Sequence, residues 1–251
     1  MKTNHALKRS RRRFLQTAGV AAASLALGGS PRAARAALER AGKMNIGVVG
    51  SGRLGGTVGE LWVRAGHEVM FSSLDLEHDK ALAARLGTGA RAGTSKEAAA
   101  FGEVLLIAVP YAALPQVGRD LGDALKGKIV LDACNPIPAR DGEMAIEARA
   151  KGTGVASPQF LPGARLVRAF NCVGYISMKS EAHRAGEKLG IPLAGDDPAA
   201  LKVAVRLVED AGFEPVVVGG LARAKDFDAG TPIFGKAMTA AEVRRTLGIS
   251  S

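Results

Sequence analysis

Gly50, Gly52 and Gly55 stand in the run Gly50-Ser51-Gly52-Arg53-Leu54-Gly55, spaced as G-x-G-x-x-G, directly after the apolar stretch Met44 to Gly50. That spacing suits one kind of chemistry. The first glycine allows a tight turn, the second lets the backbone approach a pyrophosphate, and the third lets a helix pack closely on the preceding strand. Helix N-terminal amides then face phosphate oxygens. Glycines at this spacing are often no more than a turn, so the flanking elements decide. Upstream is a strand pattern. Downstream Leu54, Val58, Leu61, Trp62 and Ala65 recur at helical spacing. Strand, glycine turn and helix in that order point to dinucleotide binding.

The alternation continues. Glu68 to Ser72 reads as a second strand, Glu77 to Leu86 as a helix, Ala90 to Gly93 as a short strand and Ser95 to Phe101 as a short helix. The runs beginning at Glu103, Lys128 and Arg165 are apolar enough for strands buried on both faces. The expected fold class is therefore α/β, a Rossmann-type doubly wound, mostly parallel sheet. Ligands in such sheets lie beyond the carboxyl ends of the strands. By position this selects Ser72, Ser73, Val109, Pro110, Cys134, Asn135, Pro136, Asn171 and Cys172. Further on, a strand, a helix capped by Asp197 with Pro198 at its first position, and another strand form a small C-terminal extension of the sheet. Residues 221–247 read as loop and helix. The division is 1–36, 37–43 as linker, 44–186 as the dinucleotide-binding domain and 187–251 as the extension and substrate side.

Composition limits the partners. The chain carries a net +10, but eight of its 34 Lys and Arg residues and none of its 24 acids fall within residues 1–36. The remainder holds 26 bases against 24 acids, a net of +2, which removes the electrostatic case for nucleic acid. The opening segment has the three parts of an export signal: Lys2 to Arg13 basic, Phe14 to Ser30 uncharged, then small residues at Ala34 and Ala36. Its run Ser10-Arg11-Arg12-Arg13-Phe14-Leu15-Gln16 resembles a twin-arginine signal, with Gln16 where Lys is usual. The expectation is cleavage after Ala36, passage through the twin-arginine translocase, and a periplasmic or otherwise exported protein. Two cysteines are too few for a disulfide scaffold and read as small buried residues. Asp196 and Asp197 have no His or Cys neighbour, so no metal site is expected.

The segments "NIGVVGSGRLGG", "IAVPY", "DACNP", "AFN" and "GDD" occur in the order seen in NADP-dependent oxidoreductases similar to the coenzyme F420-dependent NADP reductases, over about Met44 to Phe234. The resemblance implies NADP(H) as cofactor, with NAD the alternative, and F420 or a flavin as the small-molecule redox acceptor. It implies Ser51, Gly52, Arg53 and Leu54 along the pyrophosphate, and Pro110, Asn135, Ala169 and Asn171 around the nicotinamide. Asn135 and Asn171 are the hydride-site candidates. The Ser-Arg that holds a 2′-phosphate in such proteins is Ser73-Leu74 here, with Lys80 offered as a substitute cation. His183 and Tyr175 are read as structural. Competing readings are a dinucleotide-binding sensor or carrier without turnover, and a reductase of small carbonyls or imines. A homodimer is left open.

Overall fold

Alternate residues of each buried run face opposite sides of the sheet, and each side finds its own helices. The computed structural model describes residues 42–249. The chain runs β1 (Asn45–Val49), α1 (Arg53–Arg64), β2 (Glu68–Ser72), α2 (Leu76–Leu86), β3 (Ala90–Ala92), α3 (Ser95–Phe101), β4 (Val104–Ile107) and α4 (Leu114–Leu121). It continues through β5 (Ile129–Asp132), α5 (Pro138–Asp141), α6 (Glu143–Lys151), α7 (Thr153–Ala156) and β6 (Arg165–Arg168). α8 (Tyr175–Glu181), β7 (Gly190–Gly195), α9 (Pro198–Asp210), β8 (Glu214–Gly219) and α10 (Ala240–Leu247) complete it. The eight strands form one sheet in the order β3-β2-β1-β4-β5-β6-β7-β8. Only the β6–β7 pairing is antiparallel. The strand order reverses between β1 and β4, which opens a crevice at the carboxyl edge just where the glycine turn leaves β1.

Ile46, Val48, Leu106, Leu131 and Val167 pack on one face under α1 and α9, while Val49, Leu105, Ile107, Val130 and Leu166 pack on the other with Leu114 and Leu121 of α4. Trp62 is the anchor of the first face. It is fully buried, its indole N–H donates to the Leu207 carbonyl of α9 at 2.8 Å, and its ring meets Phe170 edge-on at 5.7 Å. The helical stripe is shorter than its spacing suggests, because Ala65 is the exposed C-cap of α1. Asp197 caps α9, accepting from the amides of Ala199 and Ala200, and also pairs with Arg165; the guanidinium holds its carboxyl below the usual range. Asp196 accepts the Leu221 amide at 2.7 Å. Both acids are thereby used in tying loops.

An ion cluster lies inside the sheet edge. Asp132 ends β5, Arg168 ends β6, and the two are register partners. Both side chains are fully buried, with Nη1 of Arg168 2.7 Å from Asp132. The same guanidinium reaches Asp228, 3.3 Å away in the segment after β8. Asp228 also accepts from the Thr153 amide at 2.8 Å and the Thr153 hydroxyl at 2.6 Å. Strand ends, α7 and the C-terminal segment are therefore joined through one guanidinium. At the opposite edge, buried His67 accepts the Met44 amide at Nδ1, 3.1 Å, and its Nε2 lies 3.0 Å from Asp210.

Asp228→Ala strands Arg168 and the Thr153 donors in the interior and is expected to cost about 3 kcal/mol in urea unfolding. Asp226→Ala, which removes a partner of the half-exposed Arg223 at the surface, is expected to cost less than about 0.5 kcal/mol. Burial lowers the pKa of His67 from its ordinary 6.5 despite Asp210 beside it. The folded state thus binds the proton less readily than the unfolded chain. Stability is full above the ordinary value and is lost as pH falls below it. Melting temperatures of the wild type should therefore drop between about pH 6.5 and 5 more steeply than those of His67→Gln.

Candidate functional site

The glycine turn is where the local backbone and the sheet meet most tightly. Gly50 has φ +99°, and a Cβ there would overlap the Ala108 carbonyl. A Cβ on Gly55 would overlap the Gly50 carbonyl, so α1 could not sit where it does with any larger residue. Gly52 differs: its φ is −63°, and a Cβ would meet nothing within 4 Å. It is the N-cap of α1 and no side chain caps the helix, so the first amides of α1 point into open space. An anion with close backbone access fits that geometry. Ser51 is fully buried behind the turn and gives its hydroxyl hydrogen to Asp79, a buried carboxylate on α2. Leu54 and Arg53 continue the turn into the helix.

Two cavities flank the turn along the carboxyl edge. On the β2 side, one of about 470 Å³ is lined by Gly50, Gly52, Ser73, Leu74, Asp75 and Ser95, with Val109 and Pro110 after β4. On the β5–β6 side, one of about 220 Å³ is lined by Leu54, Asn135, Asn171, Tyr175 and Phe234, among others. A third, shallow groove of about 580 Å³ runs along the outer face of α1, where Arg53, Arg64, Arg85 and Lys179 gather with His78 and His183.

The cavity on the β5–β6 side is the one with unspent polar groups. Asn135 and Asn171 each come three residues after a member of the buried Asp132–Arg168 pair, so register alone sets them side by side. Asn135 donates to the Asn171 carbonyl at 2.8 Å and accepts, through its own carbonyl, from Arg140 at 2.8 Å. Its Oδ1 is buried without a partner, as are Oδ1 and Nδ2 of Asn171, a residue only 3% exposed. Such groups are costly unless a ligand or water completes them. Phe170 precedes Asn171 in the left-handed region at φ +61°, a conformation an aromatic residue adopts only under constraint. The edge-on contact with Trp62 supplies that constraint and so aims the asparagine. The far wall is Phe234-Gly235, held by the Gly235 amide on the Cys172 carbonyl at 2.7 Å. Arg53 lies over the Tyr175 ring, 5.7 Å from its centre. Burial pushes the thiol of Cys172 up to about 12, and that of Cys134 well above its ordinary value.

Most residues selected from the sequence lie on this edge, but not all in the expected role. Pro110 belongs to the β2-side cavity rather than to the asparagines, because the chain turns from β4 toward α4. Ala169 is fully buried in the core beneath the strand end and lines neither cavity. Pro136 is buried, and Ser72 spends its hydroxyl on the Val48 carbonyl at 2.8 Å. Lys80 pairs with Glu77 on the exposed face of α2 and reaches no cavity. His183 lines the outer groove instead of the asparagine cavity, and its amide donates to the Gly212 carbonyl at 3.1 Å. Cys134 and Cys172 are both free and buried. Asp79, Asp132, Arg168 and Asp228 were not singled out from the sequence. The one local signal was the pair "DACN" and "RAFN", an acid and a base each three residues before an asparagine.

Residues 45–136 match the family model described as NADP oxidoreductase, coenzyme F420-dependent. The F420-dependent NADP reductase of Methanothermobacter thermautotrophicus is 28% identical over 205 residues, covering 76% of this chain and 88% of that protein. Among solved structures, a hypothetical protein of Sinorhizobium meliloti superposes with a TM-score of 0.66 at 24% identity, covering 78% of this chain and 95% of the other. An imine reductase of Myxococcus stipitatus, a variant in complex with NAD+, superposes with a TM-score of 0.55 at 16% identity, over 74% of this chain and 58% of the other. The structural likenesses show the α/β Rossmann-like fold, and through its glycine-turn half the chain is similar to the F420-dependent NADP oxidoreductases.

Proposed function

We propose that this chain is a nicotinamide-dinucleotide-dependent oxidoreductase that passes hydride between the dinucleotide and a conjugated ring acceptor of the deazaflavin or flavin type. The observation that carries the reading is the pair of asparagines with unpartnered amide atoms at the edge of an uncharged cavity, whose wall includes Leu54 in the first turn after the open glycine N-cap. The first amides of α1 would hold the pyrophosphate, and the asparagine carboxamides would hold the matching amide of the nicotinamide. When bound, the reduced nicotinamide supplies the hydride. The chain's task is alignment and exclusion of water, for which Leu54, Tyr175 and Phe234 provide the walls. The similarity to a protein named as an F420-dependent NADP reductase supports this acceptor class and a nicotinamide dinucleotide, while the choice between NADP and NAD rests on the ribose side of the site.

A carbonyl or imine reductase is the second reading, and one feature favours it. Reduction of a carbonyl needs a proton at the reacting oxygen. Lys, His and carboxylate side chains are missing from the lining of the asparagine cavity, and the Cys172 thiol is held protonated by burial, which leaves the Tyr175 hydroxyl. Tyr175→Phe should leave transfer to a deazaflavin or flavin within about threefold, whereas a loss of about a hundredfold or more would favour Tyr175 as proton donor. If bound NADPH or NADH stays reduced in stopped-flow mixing with flavins, deazaflavins, quinones and ferric chelates and also with small carbonyls and imines, the protein is a sensor or carrier.

The arginine run and the cleavage after Ala36 lie outside the described residues. The proposal includes export of the folded, dinucleotide-loaded chain through the twin-arginine translocase, which suits a cofactor made in the cytoplasm. Binding would also stabilise the folded form before export. Arg11→Lys with Arg12→Lys is expected to retain the protein in the cytoplasm on fractionation.

Gly52→Asp is expected to abolish dinucleotide binding by calorimetry while keeping the melting temperature, since the position has ordinary φ, open space, and a preference for Asp as N-cap. Gly50→Ala should instead unfold more easily, by about 1–3 kcal/mol. Asn171→Leu should slow hydride transfer about tenfold or more with dinucleotide affinity changed less than about threefold.

A further inference from the structure

The cavity beyond β2 is where a dinucleotide held on the glycine turn would present its adenosine ribose, and its polar groups can be accounted for one at a time. The inference rests on the dinucleotide reading above and concerns which dinucleotide. Leu74, at the tip of the loop after β2, is fully exposed and brings no charge. The charged residues lining the cavity are Asp75 and Asp120, both acids. Ser73 points its hydroxyl at Asp79, 2.9 Å away, and its oxygen already accepts the Asp75 amide at 3.1 Å. Asp79 is fully buried and also takes the hydroxyl hydrogen of Ser51. The Gln116 amide nitrogen donates to Asp120 at 2.7 Å. The Ser73 hydroxyl hydrogen and one Gln116 amide hydrogen are thus turned onto carboxylates, the Ser95 hydroxyl, 3.5 Å from that of Ser72, keeps its own hydrogen, and the charged groups that remain toward the cavity are acceptors.

A 2′-phosphate is a near-dianion and an acceptor only, so it needs cations or free donors. A ribose diol supplies two donors of its own and is matched by a carboxylate such as that of Asp75. Of the nearby cations, Lys80 pairs with Glu77 away from the cavity, Arg53 and His78 line the separate groove on the outer face of α1, Arg119 donates to the Gln116 side chain at 2.6 Å, and Lys96, exposed beside Ser95, is not among the lining residues. We infer that Ser73, Leu74, Asp75 and the buried Asp79 make this site select NAD(H), with its free 2′-hydroxyl, over NADP(H).

The test is a fluorescence titration of the full chain with NADH and with NADPH, wild type beside Leu74→Arg. Leu74 is exposed, so the variant should fold, and equal melting temperatures would confirm it. The expected result is that wild type binds NADH about tenfold or more tightly than NADPH, and that Leu74→Arg tightens NADPH about tenfold while NADH changes less than about twofold. Wild-type affinity equal for the two, or higher for NADPH, overturns the inference and leaves the dinucleotide reading standing. Tightening of both ligands alike in the variant also overturns it, because Leu74 would then not face the ribose. Binding of neither dinucleotide overturns the inference together with the reading it rests on.

Discussion

One buried guanidinium organises the carboxyl edge of the sheet in this protein. Arg168 lies between Asp132 on the neighbouring strand and Asp228 on the segment after β8, all in the interior. An isolated charge there would be prohibitive, so the three side chains must be placed together or not at all. Their placement fixes the register of β5 on β6, and with it the two asparagines three residues further on. It also draws in the Asp228 segment, whose continuation brings Phe234 and Gly235 to the opposite wall of the asparagine cavity. Stability arguments alone would not favour such a cluster, since apolar residues of similar volume often serve as well. Its evident product is a specific geometry at the site.

Around the glycine turn the electrostatics divide into three zones. The asparagine cavity carries no charged lining residue, the β2-side cavity is acidic, and the outer groove of α1 is basic. The turn supplies only backbone amides, which suit any dinucleotide. The flanks differ: acceptors gather on the β2 side, and uncharged walls on the β5–β6 side. Beside the asparagine cavity, Phe170 is held at positive φ against Trp62, a residue that itself ties α1 to α9.

Much of this was legible in the sequence because it depends on local spacing. β2 and α3 have the expected bounds, and the glycine turn sits between strand and helix as its spacing requires. The strand-end rule placed Asn135 and Asn171 together at the carboxyl edge because position along a parallel strand is itself a local property. It also selected Ser72 and Pro136, which are spent on structure, since the rule cannot tell a side chain facing the crevice from one facing the core. Lys80 pairs with Glu77 and Pro110 lines the β2-side cavity instead of the asparagine one for a related reason: sequence distance from the turn does not say which way a helix face or a loop points.

By itself the amino-acid sequence determined the α/β alternation, the glycine turn, the capping of α9 by Asp197, and the near-neutral balance beyond residue 36, because each arises from residues within a few positions or from composition. Only the tertiary structure decided that Asp132, Arg168 and Asp228 are one unit, that Asp79 takes the hydroxyls of both Ser51 and Ser73, and that the asparagine amides are left unpartnered. Those facts join residues as far apart as 132 and 228, and whether a buried polar atom is satisfied depends on every element packed around it.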